Sequence, residues 1–305
     1  MNMPTGWLRG LGAAASLGTA LALPPWPLAV AALPDAEVEA VQMSAWLTRD
    51  GKRVPLAIGA QLKNGDAITT GDGSRVLLRL AEGSAVKLGE NARFELNEMS
   101  QIRDGGEPRF NASLAVLQGA FRFTTAPADK ARSKRSVDVR LPTLTASITG
   151  TDLWGKSAEG REIVALIDGN ITLNRKGAAP IAMSEAKTVY IMEPDAPPPP
   201  VVKITLAQLN AFAQETEMQP GAGAASRLGN WKIYAARTTS QEEALAIYER
   251  VRDAGYAAAI QPAVSQGKQI YQVRIVGLLT EADGVAVAIK LRVQLGLQDV
   301  RVSLQ

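Results

Sequence analysis

Two segments near the C-terminus, "WKIYAARTTSQEEALAIYERVRDAGY" (231–256) and "YQVRIVGLLTEADGVAVAIKLRVQLGL" (271–297), are written to one plan. Each passes from a strand-like stretch through a hydroxyl residue and an acidic turn into an apolar-periodic helix, then a glycine. Two βαβ units in so short a span close into a four-stranded sheet with both helices on one face, the ferredoxin-like α+β arrangement. Neither half could cover the apolar face of its own helix, so the unit is written twice. The helix starts are marked by capping-box spacing, Ser240 with Glu243 and Thr280 with Asp283. Apolar positions then recur at Ala244, Leu245, Tyr248 and Val251, and at Val285, Ala286, Ile289 and Val293. Gly255 and Gly296 stand where a left-handed residue ends a helix, and "AAAIQPAV" and "DVRVSL" supply the closing strands.

With both helices on one side, the other side of this sheet is open. Strand alternation puts Tyr271, Val273 and Ile275 on one side of the third strand and Gln272 and Arg274 on the other. In the first strand Ile233 and Ala235 oppose Lys232, Tyr234 and Ala236. The open face is therefore expected to display Tyr234, Gln272 and Arg274, with Arg301 from the last strand. An aromatic ring beside hydrogen-bond donors suits a sugar or a base, by stacking plus polar readout.

The N-terminus decides between them. An apolar run from Leu11 to Leu23 follows the single charge Arg9, and "PPWPLAVAA" then ends in small residues suited to cleavage after Ala31 or Ala32. The run is shorter than the roughly 20 apolar residues of a membrane-spanning helix. Residues 1–32 thus read as a cleavable signal peptide and the chain as periplasmic, in a Gram-negative envelope. Export favours a sugar and disfavours nucleic acid. It also fits a chain without cysteine, stabilised by its core rather than by disulfides. With histidine absent as well, there is no thiolate nucleophile, no imidazole base and no Cys/His zinc site. Neither a cofactor nor a metal is expected, and the expectation is a non-enzymatic protein.

Residues 35–193 read as all-β: "SRVLLRL", "SAVKL", "ARFEL", "SLAVL", "AFRFTT", "VDVRLP", "EIVALI" and "NITL" are separated by Gly, Asp and Asn turns. A sandwich, roll or solenoid follows. Asp66, Asp72, Glu82 and Asp168 each adjoin glycine, and turns explain them better than acid–base chemistry. Trp154, beside a glycine, is expected in the core. Residues 194–226 form a linker: the proline run at 197–200 is stiff, "QPGAGAAS" is flexible, and a short helix around Leu206, Leu209 and Phe212 either folds back or decorates it.

The segment 227–305 resembles the SPOR (sporulation-related repeat) family. "YQVRIVGLL" is similar to that family's Tyr-Arg-Val-Arg-Val-Gly-Pro-Phe run, and "KIYAARTTSQEEA" to its opening strand and helix start. The resemblance implies binding of peptidoglycan glycan strands stripped of stem peptides, which gather at the division septum. The site it implies is Tyr234, Arg237, Tyr271, Gln272, Arg274 and Arg301, with Tyr234 standing where the family writes Gln. The β-rich part resembles the FecR domain family over residues 43–190, through "LKNGDAITTGDGS", "LQGAFRF", "ITGTDLWGK" and "LIDGNITL". FecR proteins signal through a membrane helix and a cytoplasmic segment, neither of which is expected in this chain. The resemblance therefore implies a binding or scaffolding domain with a protein partner in the envelope. The alternative is a ligand-sensing regulatory module of FecR type with a vestigial SPOR domain.

Overall fold

The computed structural model describes residues 36–104, 107–126, 134–193 and 196–305. Residues 1–32, read from the sequence as a signal peptide, lie outside the described residues. From Ala36 onward the chain forms a single compact unit.

The β-rich part contains β1 (Ala36–Gln42), β2 (Ala45–Arg49), β3 (Lys52–Pro55), β4 (Gln61–Leu62) and β5 (Asp66–Thr70). After these come β6 (Arg75–Leu80), β7 (Ala85–Leu88), β8 (Arg93–Asp104), β9 (Glu107–Thr124) and β10 (Lys134–Arg140). The body closes with β11 (Leu144–Ala158), β12 (Arg161–Arg175), β13 (Ile181–Met183), β14 (Thr188–Met192) and β15 (Val202–Lys203). One ladder runs β3–β2–β5–β8–β9–β10–β11–β12–β13 and another β1–β6–β7–β9–β11–β12–β14–β15. The long strands β9, β11 and β12 belong to both ladders, so the body rolls around one core that includes Ile68, Phe94, Leu114, Val76, Phe121, Leu153 and Val164.

The strand ends expected at "QG" and "DG" are corrected here. "SLAVL" and "AFRFTT" are one strand through Gly119, and "EIVALI" and "NITL" one strand through Gly169. Both glycines have positive φ, +87° and +93°. They make irregularities inside a strand rather than turns. Neither tolerates a side chain: a Cβ at Gly169 would lie 2.4 Å from the carbonyl oxygen of Gly150, and one at Gly119 2.6 Å from Cα of Ala92. The paired kinks at Gly150 and Gly169 let β11 and β12 pass together from one ladder to the other.

Residues read as a linker are largely structured. Helix α1 (Leu206–Thr216) starts at a full capping box, Thr205 with Gln208, and folds back onto the β body. Its Phe212 ring stacks on Trp154, with centroids 4.2 Å apart and planes 9° from parallel. Trp154, Ala120, Ala165, Val189 and Ile204 form a second small core that Leu209 and Phe212 cover. Lys156–Glu215 at 2.7 Å and Arg122–Glu217 at 3.1 Å fasten the charged side of the helix and its end. Strand β16 (Ala224–Ser226) then replaces the expected flexible stretch. It pairs with β1 on one side and with the C-terminal sheet on the other, because its two alanines are small enough to bury completely between them.

The C-terminal part is the doubled unit: β17 (Trp231–Thr238), α2 (Gln241–Asp253), β18 (Ala258–Ser265), β19 (Lys268–Leu278), α3 (Glu281–Leu295) and β20 (Arg301–Leu304). Its antiparallel sheet is ordered β20–β17–β19–β18, as the duplicated βαβ plan requires. The second capping box forms in full, whereas only half of the first does. Ser240 Oγ accepts the Glu243 N–H, but the Glu243 carboxylate takes the Thr238 hydroxyl instead of the Ser240 amide. Gly296 ends α3 at φ +62°, and Gly255 follows α2 at φ +86°.

This domain is welded to the β body. Ala45 N–H donates to Gly255 O at 3.2 Å, and Met43 N–H to Gly223 O at 3.4 Å. Arg227 pairs with Glu37 at 2.9 Å, and Trp46 packs where a Gly255 side chain would be, 2.6 Å from its ring. Lys290 of α3 reaches Met43 O at 3.5 Å, and burial lowers the pKa of its ammonium, partly countered by Asp72. Val38, Val41 and Val76 share one continuous core with Ile233, Val273 and Leu291.

Candidate functional site: the open sheet face

The face of the C-terminal sheet away from α2 and α3 gathers most of the expected residues. Pairing sets Tyr234 opposite Arg274 on β19 and opposite Arg301 on β20. Arg301, Tyr234 and Arg274 therefore form one row across three strands. Arg237 pairs with Gln272, and Gln272 with Gln261 on β18, giving a second polar row.

The second row exists because β17 is irregular. Strict alternation from Tyr234 would turn Arg237 toward the helices. Instead the register shifts between Tyr234 and Ala236, leaving Ala235 as an extra residue. Ala235 and Ala236 are both buried, at 3% and 7% exposure, which corrects the expectation that Ala236 faces outward. After the bulge Arg237 returns to the side of Tyr234, with its guanidinium carbon 5.6 Å from the phenol ring centroid. Lys232 Nζ lies 5.5 Å from the same centroid. Two cations thus flank one ring, a cation–π arrangement that holds the ring in place and enriches the face in donors.

Tyr271 does not join them. It pairs with Thr238, packs against the main core, and donates its hydroxyl to Gln241 Oε1 at 3.3 Å at the start of α2. Its parity with Val273 and Ile275 already pointed to the helix side. Sequence reasoning passed over Lys232 and Gln261, although Lys232 shares the parity of Tyr234. At the end of the sheet a groove of about 320 Å³ is lined by Arg237, Thr238, Ser265, Gln266, Asp299 and Arg301, among others. Hydroxyls, an amide, a carboxylate and two guanidiniums on its walls can donate to and accept from a polyhydroxylated ligand. Arg274 Nε is buried and has no hydrogen-bond partner among the described residues.

Two motif residues of the β body, Asp66 and Thr70, are spent on structure. Asp66, 2% exposed, takes a bidentate pair from Arg49 at 2.8 and 2.6 Å and the Lys63 amide at 2.8 Å. The hydrogen bond to Asp66 raises the pKa of Arg49. Thr70 Oγ1 donates to Gly89 O and accepts from Ala92 N–H, at 2.7 and 2.8 Å.

An all-β body is thus fused to an open-faced ferredoxin-like sheet, with Asp66 committed to an ion pair and a turn. The FecR protein family matches residues 66–172 and the SPOR domain family residues 228–303, so the chain carries a FecR domain followed by a C-terminal SPOR domain. Both are non-catalytic binding and signalling domains typical of envelope proteins, and the SPOR domain implies peptidoglycan binding. No curated protein matches the chain. Two crystal structures of a candidate anti-sigma factor from Parabacteroides distasonis ATCC 8503 are similar to it at 12% and 13% identity. Each covers 78% of this chain, which spans 99% and 97% of theirs, with TM-scores of 0.40. Among the described residues no helix is long and apolar enough to cross a membrane.

Proposed function

We propose that this is an exported, periplasmic, non-enzymatic protein that binds peptidoglycan glycan strands lacking stem peptides. Tyr234, Arg237, Gln272, Arg274 and Arg301 form the binding face, and the FecR domain meets a protein partner in the envelope, at the division septum when cells divide. The observation that carries the reading is the row Arg301–Tyr234–Arg274, an aromatic ring between two guanidiniums on the sheet face opposite α2 and α3. A sugar ring stacks on the phenol while its hydroxyls accept from the cations. Tyr271 acts behind the face, positioning the start of α2.

Sedimentation of the full chain with amidase-treated and intact sacculi tests this. Enrichment on the treated sacculi, lost in Tyr234→Ala and Arg274→Ala, is expected. Equal binding to both preparations, or variants that bind as well as the parent, would sink it.

A further inference from the structure

Helix α3 wears its richer apolar stripe on the outside. Periodicity pointed to Val285, Ala286, Ile289 and Val293 as the packed face, yet Val285, Ile289 and Val293 are 43%, 51% and 78% exposed. The residues against the sheet are instead Asp283, Gly284, Val287, Ala288 and Leu291. Close packing explains the inversion: a Cβ at Gly284 would lie 2.6 Å from Val302, so the helix sits on its smallest residue. The companion helix α2 carries a single exposed large apolar residue, Leu245 at 47%, among the charged Glu242, Glu249, Arg250 and Asp253 that it shows solvent. A helix apolar on both sides is ordinarily covered on both sides. Beside the stripe lies an apolar groove of about 470 Å³, walled by Gly221 and by Ala282, Val285, Ala286 and Ile289.

We infer that this stripe docks on the same stripe of a second copy, α3 against α3, antiparallel about a two-fold axis near Ala286. The charges select this occupant. Glu281 and Arg292 are both exposed at the edge of the stripe. Their separation along the helix puts them about 20° apart in azimuth, hence on the same flank. An antiparallel two-fold pair exchanges helix ends while keeping flanks together, so Glu281 of each copy lies beside Arg292 of the other, twice by symmetry. Arg292 donates one N–H to Val300 O at 2.6 Å and retains other donors for such a contact. Small side chains at Ala282 and Ala286 permit close approach of the helices, and antiparallel packing opposes their dipoles. Because the helix layer lies across the sheet from Tyr234, pairing leaves both open faces clear. A dimer thereby presents two such faces to a repeating polymer and gains avidity without new contacts.

Sedimentation velocity of the full chain over a concentration series is the test. A monomer–dimer equilibrium is expected, weakened at least about tenfold by Ile289→Lys. Glu281→Arg should weaken it and the added change Arg292→Glu restore it, a rescue that loss of folding cannot mimic. Since the chain has no cysteine, Ala286→Cys should yield a disulfide-linked dimer under mild oxidation while Leu245→Cys on α2 does not. A monomer at every concentration, a dimer indifferent to Ile289→Lys, or equal cross-linking at both positions would overturn the inference, as would attachment of α3 to lipid vesicles in place of self-association.

Discussion

Asp283 Oδ1 accepts the backbone N–H of Ala224 at 3.0 Å and that of Gly223 at the same distance, while its Oδ2 accepts from Thr280 at the cap of α3. A single carboxylate, 1% exposed, thus starts a helix and fastens the strand that joins the two domains. The shorter Asp in place of the usual capping-box Glu suits this double duty. Asp283→Ala leaves the buried amides of Gly223 and Ala224 without their acceptor and breaks half of the capping box, and should cost about 3 kcal/mol in urea unfolding. Asp283→Asn, which keeps one acceptor oxygen, should cost less.

Gly255 is fixed by both its backbone and its neighbour. At φ +86° any side chain is strained, and a Cβ would meet the Trp46 ring at 2.6 Å. Gly255→Ala should lower stability by about 2 kcal/mol or more, seen as a lower melting temperature and a shifted Trp fluorescence.

Phe212 is the clasp of α1. Phe212→Ala removes the ring stacked on Trp154 and should destabilise the docked helix by about 3 kcal/mol. Limited proteolysis reads this directly: cleavage between residues 205 and 220 should accelerate strongly in the variant while the remaining β body stays resistant.

Alkaline stability should depend on Tyr256. Burial pushes its phenol from the ordinary value of 10.0 up to about 12, so the folded state favours the neutral form. The contribution is fully present below the unfolded pKa and is lost as pH rises through the folded one. Unfolding midpoints of the parent should therefore fall between about pH 10 and 12, by up to roughly 2 kcal/mol, and Tyr256→Phe should lack that component.

Arg237→Ala should weaken binding to amidase-treated sacculi about tenfold, comparably to Tyr234→Ala, with unchanged melting because Arg237 is exposed. Retained binding would separate this residue from the face formed by its neighbours.

The doubled unit, its caps and its strand order were legible because periods of 2 and 3.6 survive in a short chain of alternating elements. Parity failed at Ala235, where a bulge adds a residue without any glycine or proline to announce it. It failed at Gly119 and Gly169 for the opposite reason: a turn signal was present, but neighbouring strands kept the chain extended through it. For α3 the stripe with larger residues looked like the core, whereas the tight fit of Gly284 against Val302 chose the smaller one. Such choices rest on distances between segments far apart in sequence. The pairing of Ala224–Ser226 with both domains was invisible on the same ground, since three small residues behind a glycine carry no period.

That short strand has a geometric consequence. Hydrogen bonds run without a break from β1 through Ala225 to Leu278. The β body therefore cannot swivel on the SPOR domain as a bead on a string would. A strand held across the Tyr234 row would set the compass bearing of the whole FecR domain, so that whatever meets it finds the same surface turned the same way along the wall.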